Sequence, residues 1–495
     1  MGLQDASVRR VEKLNAILEV AKEMAAVHTL DSLLPLIMRE AARVVEAERC
    51  SLFVVDRKSG ELWSRVAQGT SEEIRLPMGK GIAGWVAQTG QVLNLKDAYA
   101  DARFNRDWDS RSGFRTSSIL CVPMRDTHGE IAGVLQALNA LDGAFDDEDI
   151  ELLLALGGQA AQAIENAMLH EEINRLFEGF VQASVMAIEA RDPTTAGHSN
   201  RVASLTVTLA QVTERAPSGP FQGIRFSGEQ IQELRYASLL HDFGKIGVRE
   251  HVLVKAEKLL PHELELVRYR FELARRDRQM ASMRRRLEMA RDPNFEQLEF
   301  ERLNVELAEL DAAFEFILQC NRPSVLESGG FERLSSLGKL SYCDSREESH
   351  ELLRANEIIT LSIARGSLSH EERLEIESHV THTYRFLSQI PWTRSLTRVP
   401  EIAFAHHEKL NGKGYPRALG ADLIPVQSKM MAISDIYDAL TASDRPYKKA
   451  VPHPVALDIL NQEARAGQID RDLLTIFVEA EVPRLALKIG DKTGP

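Results

Sequence analysis

No proline interrupts residues 149–190, and apolar residues recur through them at helical spacing. Ile150, Leu154, Gly157, Ala161, Ile164 and Met168 alternate steps of four and three. Leu169, Ile173, Leu176, Phe180, Ala183 and Ala187 repeat that pattern one position out of phase. The run reads as one helix, roughly 60 Å long at 1.5 Å per residue. It divides the chain into a shorter N-terminal part and a longer C-terminal part. A heptad seam implies a partner helix, and the phase change near Met168 and Leu169 would let a coiled coil repack. Two readings stand side by side. The seam joins two chains as a parallel homodimer, or the first half packs on an N-terminal sheet and the second half in a C-terminal core.

Ahead of this helix the periodicity changes. Val11, Leu14, Ile17, Leu18 and Ala21 give residues 1–28 the look of an amphipathic lead-in helix. Asp31 can cap a second helix over about 33–47. Stretches beginning at Cys50, Glu61, Ser117 and Ile131 alternate like strands and are bounded by Gly, Asp and Pro. The expected fold class here is α+β, an antiparallel sheet flanked by helices. Pro77-Met78-Gly79-Lys80-Gly81-Ile82-Ala83-Gly84-Trp85-Val86 resembles the central signature of a GAF domain. Asn139 and the acidic run from Phe145 to Asp149 resemble that domain's last strand and exit helix. The resemblance covers 29–169 and implies a sensor whose ligand is unknown. His28, His128 and His170 form no cofactor pattern.

Beyond the helix the chain carries metal-ligand residue types in ordered clusters. Asp192-Pro193 breaks the helix and Gly197-His198 opens another. An apolar helix over 231–240 delivers His241-Asp242, with Lys245 three residues on. His406-His407-Glu408 leads into a glycine-punctuated loop ending Gly414-Tyr415-Pro416, and Asp435 and Asp438 share one face of the helix over 429–442. Neutral imidazole and carboxylate suit borderline divalent cations, and adjacent pairs about 100° apart on a helix can address two of them. Two cations a few ångströms apart can clamp a phosphodiester.

His241-Asp242-x-Gly244-Lys245-x-Gly247, the His-His-Glu-to-Tyr-Pro run, Asp435-x-x-Asp438-Ala-Leu-Thr and Asp444-Arg445-Pro446-Tyr447, in that order, resemble the HD-GYP family. That is a branch of the HD-domain metal phosphohydrolases whose known substrate is cyclic di-GMP. The resemblance implies an all-α bundle over 177–255 and 366–485, and a tail at 486–495. It implies His198, His241, Asp242, His379, His406, His407 and Asp435 as ligands of two divalent ions, with Asp242 bridging. Fe or Mn suits an all His/carboxylate set better than Zn, Mg or Ni. Family members with a third metal carry a Glu four residues before His198, where this chain has Thr194. Lys245 would join Asp242 in catalysis. Gly414, Tyr415, Asp438, Arg445 and Lys448 would bind substrate, Asp438 alternatively supporting a ligand. The implied activity opens cyclic di-GMP to the linear dinucleotide pGpG and onward to GMP. The alternatives are a receptor that binds cyclic di-GMP without cleaving it and an enzyme for another cyclic dinucleotide. GGDEF-domain proteins are the partners such an enzyme implies.

The family pattern is interrupted. After Lys255, counting along the next helix puts Arg270 where a ligand His belongs, and Arg cannot ligate. The opening recurs at 366–379 and places His379 there, although Val380 replaces the usual Pro; His382, one turn on, is the fallback. Residues 261–365 therefore read as an insertion. Leu266, Tyr269, Leu273, Arg276, Met280, Met283 and Leu287 make one heptad seam, and Leu303, Leu307, Leu310, Phe314 and Ile317 another, as in an antiparallel hairpin. Residues 324–344, with Gly329-Gly330, read as a loop. Arg284-Arg285-Arg286 lies among glutamates and reads as a charged solvent face.

Charge narrows the partners. A formal net charge of −13 argues against a nucleic-acid or anionic-membrane surface. Four scattered cysteines without Cys-x-x-Cys pairing read as reduced thiols, and no apolar run is long enough to span a bilayer, so a cytoplasmic setting is expected.

Overall fold

The computed structural model describes residues 17–27, 29–64, 74–192, 196–288, 293–323, 329–442 and 450–490. It divides into two compact units, Met1–Gly179 and Phe180–Pro495. Within the first, a helical stretch at 17–25 leads to α1 (Leu30–Val44), β1 (Ala47–Asp56), β2 (Glu61–Ser64), β3 (Ile74–Pro77), α2 (Gly81–Thr89), β4 (Leu93–Leu95), α3 (Asp107–Ser112), β5 (Ile119–Arg125) and β6 (Ile131–Ala140). The expected second helix starts three residues early, at Leu30, because Leu30, Leu33, Leu34 and Ile37 all face the core.

The six strands form one antiparallel sheet in the order β3-β2-β1-β6-β5-β4. Alternation along β1 sends Cys50, Leu52 and Val54 to one face and Phe53 to the other. The first face is covered by α1 and by Leu152, Leu153, Leu156, Ala160 and Ile164 of α4 (Asp147–Arg191). The second is covered by Ile82, Ala83, Val86 and Ala87 of α2. Gly84 lets α2 approach the preceding turn, since a Cβ there would lie 2.8 Å from Pro77 O. Asn139, in the left-handed region, accepts from the Ser117 amide and donates to Glu48 and Arg115 O, tying β6 to the loop before β5.

The helix α4 is continuous over 45 residues. Its first half packs on the sheet, while Val181, Ser184, Val185 and Ile188 are buried in the second unit. The predicted second seam is not the packed face: Leu169, Ile173, Leu176 and Phe180 are exposed.

The second unit comprises α5 (His198–Thr213), α6 (Gly228–Leu240), α7 (Glu250–Leu253), α8 (Pro261–Glu288), α9 (Pro293–Asn321), α10 (Gly330–Leu337), β7 (Ser341–Cys343), β8 (Ser349–Glu351), α11 (Ala355–Leu361), α12 (His370–Glu377), α13 (His379–Leu387), α14 (Val399–Phe404), α15 (Val426–Thr441), α16 (His453–Arg465), α17 (Arg471–Glu479) and α18 (Val482–Gly490). The tail expected at 486–495 is helical as far as 490, because Val482 and Ala486, one turn apart, are both buried; residues 491–495 lie outside the described ones.

The insertion is a small domain with its own core. Val267, Phe271 and Ala274 of α8 meet Leu310, Ala313 and Ile317 of α9, and Leu334, Tyr342, Leu352, Leu353 and Leu361 close the cluster. Two expectations change. The stretch 324–344 contains α10 and β7, because Gly329 (φ +86°) precedes a helix whose Leu334 is fully buried. The predicted α8 seam points outward, and the hairpin uses the opposite face of that helix. Arg270 anchors the core, donating to both Glu357 oxygens at 2.6 and 2.5 Å and to Leu352 O at 3.0 Å. At the neck, Ser367 Oγ donates to Lys255 O, Lys255 pairs with Glu372, and the buried Lys258 donates to Leu361 O.

Candidate metal centre

Five short segments converge. His198 is the first residue of α5, following Gly197 at φ +68°. His241 ends α6 and Asp242 begins a 3-10 turn over Phe243–Gly247. His379 opens α13 where the chain bends after Ser378. His406 and His407 follow α14, and Asp435 lies inside α15. All except His407 are buried.

Three histidines share one geometry. Nδ1 of His241 lies 2.6 Å from Ser238 O, that of His379 2.5 Å from Ile376 O, and that of His406 2.6 Å from Ala403 O. A carbonyl can only accept, so each Nδ1 carries the proton and each Nε2 keeps its lone pair. Those three Nε2 atoms are buried without a hydrogen-bond partner. Buried polar atoms left unpaired are costly, and here all three belong to one cluster. That is the arrangement a cation's ligands need, with the far ring nitrogen fixed by a second hydrogen bond.

The ligand atoms fall into three overlapping groups: His379, His406 and His407; His198, His241 and Asp435; and His241, Asp242 and His406. Asp242 stands between the first two. Its Oδ1 is 3.3 Å from His379 Nε2, while its Oδ2 faces His241 Nε2 at 3.5 Å and His198 Nε2 at 3.7 Å. Each oxygen addresses a different histidine set.

The electrostatics match this layout. Burial would raise the Asp242 pKa, but Lys245 and the histidines hold it well below the ordinary carboxylate value. Asp435 is lowered in the same way, chiefly through His198. Burial depresses His241, depresses His406 to about 3 and takes His407 well down, each helped by neighbouring imidazoles. His198 is the exception. Burial lowers it, yet hydrogen bonds to Asp435 and Asp438 raise it to about 9.

Asp438 proves to be a support for His198. Its Oδ2 accepts from His198 Nδ1 at 2.8 Å, and Arg201 grips both oxygens at 2.6 and 3.1 Å. Lys245 reaches Asp242 Oδ2 at 2.8 Å from the 3-10 turn. Tyr415 lies beside His407, with centroids 4.8 Å apart and the rings tilted by 41°. Gly414 serves the loop's packing, because a Cβ would lie 2.2 Å from Lys409 N. Thr194, Arg445 and Lys448 lie outside the described residues. His382 takes part in none of the three groups; its ring lies against Gly247.

Several supporting residues were not singled out from the sequence. Arg201 comes three positions after His198, on the same helical face. Glu408 accepts from the amides of Arg417 and Leu419 and closes the Gly-Tyr-Pro loop. Thr383 Oγ1 donates to His241 O at 2.9 Å and accepts from Gly244 N at 2.8 Å, locking the His241-Asp242 corner to α13.

Comparison with known families gives two matches: residues 29–164 to the GAF domain and residues 355–473 to an HD domain. The chain carries a GAF domain followed by a largely helical HD domain. The HD match starts at α11, the last helix of the insertion, and so contains His379, His406, His407 and Asp435 but not His198, His241 and Asp242. A Caenorhabditis elegans protein named Probable 3',5'-cyclic phosphodiesterase pde-5 is 36% identical over 175 residues, 32% of this chain and 24% of that protein. The cGMP-specific 3',5'-cyclic phosphodiesterase of Drosophila melanogaster is 43% identical over 122 residues, 24% and 11% of the two chains. The chain thus spans a quarter or less of these curated relatives. The solved GAF domain of a Coxiella burnetii phosphoenolpyruvate-protein phosphotransferase is 23% identical, covering 33% of this chain and 98% of that one at a TM-score of 0.30. Among the described residues no helix is long and apolar enough to cross a membrane.

Proposed function

We propose that the chain is a metal-dependent phosphodiesterase that hydrolyses cyclic di-GMP to pGpG, governed by its GAF domain. The observation that carries the reading is Asp242, whose two oxygens face two separate histidine groups. Divalent cations held there would neutralise phosphate charge and lower the pKa of water. His198, His241 and Asp435 would hold one, His379, His406 and His407 the other, with Asp242 shared.

The remaining roles belong to the chain's own groups. Asp438 and Arg201 fix the His198 ring, so that Nε2 faces Asp242 and Asp435. Lys245 keeps Asp242 ionised and brings a positive charge to where phosphate charge develops. Tyr415 lies against the His407 ring. The choice of cyclic di-GMP rests on the resemblance of the loop at 406–416 and the ordered motifs to the HD-GYP family. Control by the GAF domain is supported by the single helix α4, which runs from the GAF sheet to the residue before Asp192, and its exposed Leu169, Ile173, Leu176 and Phe180 suit a parallel homodimer.

A second reading is favoured by the relatives, whose names give 3',5'-cyclic nucleotides, cGMP among them, as substrates. One experiment separates the readings. Metal-loaded protein is incubated in parallel with cyclic di-GMP, cGMP and a mixed cyclic dinucleotide, and the products are resolved by chromatography. Appearance of pGpG at the highest rate supports the proposal. Fastest turnover of cGMP or of the mixed dinucleotide replaces it, and binding of cyclic di-GMP without any product makes the chain a receptor.

A further inference from the structure

The outer face of α8 is apolar and carries a coiled-coil pattern. Leu266, Tyr269, Leu273, Met280, Met283 and Leu287 are between 46% and 72% exposed. With Arg276 they occupy seven successive positions in alternating steps of three and four, the spacing that presents a continuous seam to another helix. The hairpin does not use this seam, since Val267, Phe271 and Ala274 on the opposite side face α9. The exposed stripe is on the order of 600 Å² per copy, so two stripes together remove about 1,200 Å², the lower end of specific interfaces.

We propose that α8 packs antiparallel against α8 of a second copy of this chain, about a two-fold axis between Leu273 and Arg276. The seam is self-complementary in this direction only. A parallel, in-register pair would stack Arg276 on its own copy, like charge on like in the middle of the seam. The antiparallel pair sets Leu266 against the partner's Met283, Tyr269 against the partner's Met280, and Leu273 against the partner's Arg276. Arg276 then lies beside the partner's Glu272, and both residues are exposed within one chain. The same patch serves both copies, so the contact closes at a dimer. The surface lies on the insertion, and the inference stands apart from the assignment of the substrate.

Cross-linking of the full-length protein tests it. Cys343, the one exposed cysteine among the described residues, is first replaced in a Cys343→Ser background. In that background Arg276→Cys should be joined to a second copy by a short bismaleimide at micromolar protein. Leu287→Cys should not, because its two copies would lie about 40 Å apart at 1.5 Å per residue. Adding Leu273→Glu should reduce the Arg276→Cys product at least ten-fold while the melting temperature and metal content stay unchanged. Equal cross-linking of Leu287→Cys would make the pair parallel and overturn the proposal. So would indifference to Leu273→Glu, or absence of any Arg276→Cys product, which would leave the stripe to a different protein.

Discussion

Lys245 Nζ lies 3.4 Å from Asp192 Oδ2, and Asp192 is the residue immediately after α4. The same ammonium lies 2.8 Å from Asp242. Burial works against the charged lysine, but Asp242 and Asp192 together hold its pKa above the usual value. The end of the long helix is therefore one ion pair away from the candidate bridging carboxylate. Replacing Asp192 by Asn should leave metal content unchanged and lower kcat roughly ten-fold, about 1.4 kcal/mol of barrier. Asp192→Glu should recover part of the loss. Steady-state kinetics beside elemental analysis would check this, and wild-type kcat in Asp192→Asn would remove Asp192 from the account.

Asp242→Ala should abolish hydrolysis without unfolding the bundle, because it removes the one group shared by both histidine sets. Circular dichroism and product analysis on the same sample are the check. Turnover above about a hundredth of wild type would be incompatible with two-cation chemistry.

Metal stoichiometry should be two per chain, with iron or manganese preferred. His379→Ala should lose part of it, whereas His382→Ala should keep it all, since His379 belongs to a ligand group through a buried, unpaired Nε2 and His382 belongs to none. Elemental analysis of anaerobically prepared protein distinguishes them. Full metal in His379→Ala together with loss in His382→Ala would show that the register was wrong.

Gly244→Ala should destabilise the second unit by about 3 kcal/mol, since the added carbon has no room. An ideal Cβ would lie 1.9 Å from His379 O and 2.5 Å from Thr383 N, both backbone atoms of α13. Thermal unfolding should show a marked drop, with loss of metal because the His241-Asp242 corner is pushed away from His379. A melting temperature equal to wild type would contradict this packing.

The insertion should be removable at its neck. Ser367 Oγ already touches Lys255 O, so a short Gly/Ser linker replacing residues 257–365 need span little distance. Cutting there also removes Lys258, whose buried ammonium would otherwise lose its acceptor, Leu361 O. Metal binding should persist and hydrolysis should remain measurable. A well-folded deletion without activity would mean that the insertion shapes the cleft.

The ligand types were legible because each sits in a local pattern: His-Asp at a helix end, His-His before a glycine loop, Asp inside an apolar helix. The supports were less so. Asp438 reaches its partners His198 and Arg201 across more than two hundred residues, and spacing cannot report such a contact. The outward stripe of α8 misled for a physical reason. Its apolar run is longer than the one inside, where Val267, Phe271 and Ala274 give way to Ser282 and the paired Arg285 further along the hairpin. Periodicity identifies an apolar face but not what covers it. In α10, Gly329-Gly330 read as a breaker when it begins a helix, because a positive φ serves an entry as readily as a turn.

The insertion also has a consequence in time. A ribosome releases His198, His241 and Asp242 well before the rest of their companions, for Asp435 emerges some 190 residues after Asp242. At about 5–20 residues per second that is a delay of roughly 10–40 s. For that interval the nascent chain has an acid and two histidines of the candidate centre but no α13 or α15 to complete the cage. The accessory domain, whose core involves only residues 259–361, can finish folding within the same interval. The candidate centre can therefore be completed only after α15 has emerged, when the accessory domain has already had time to fold.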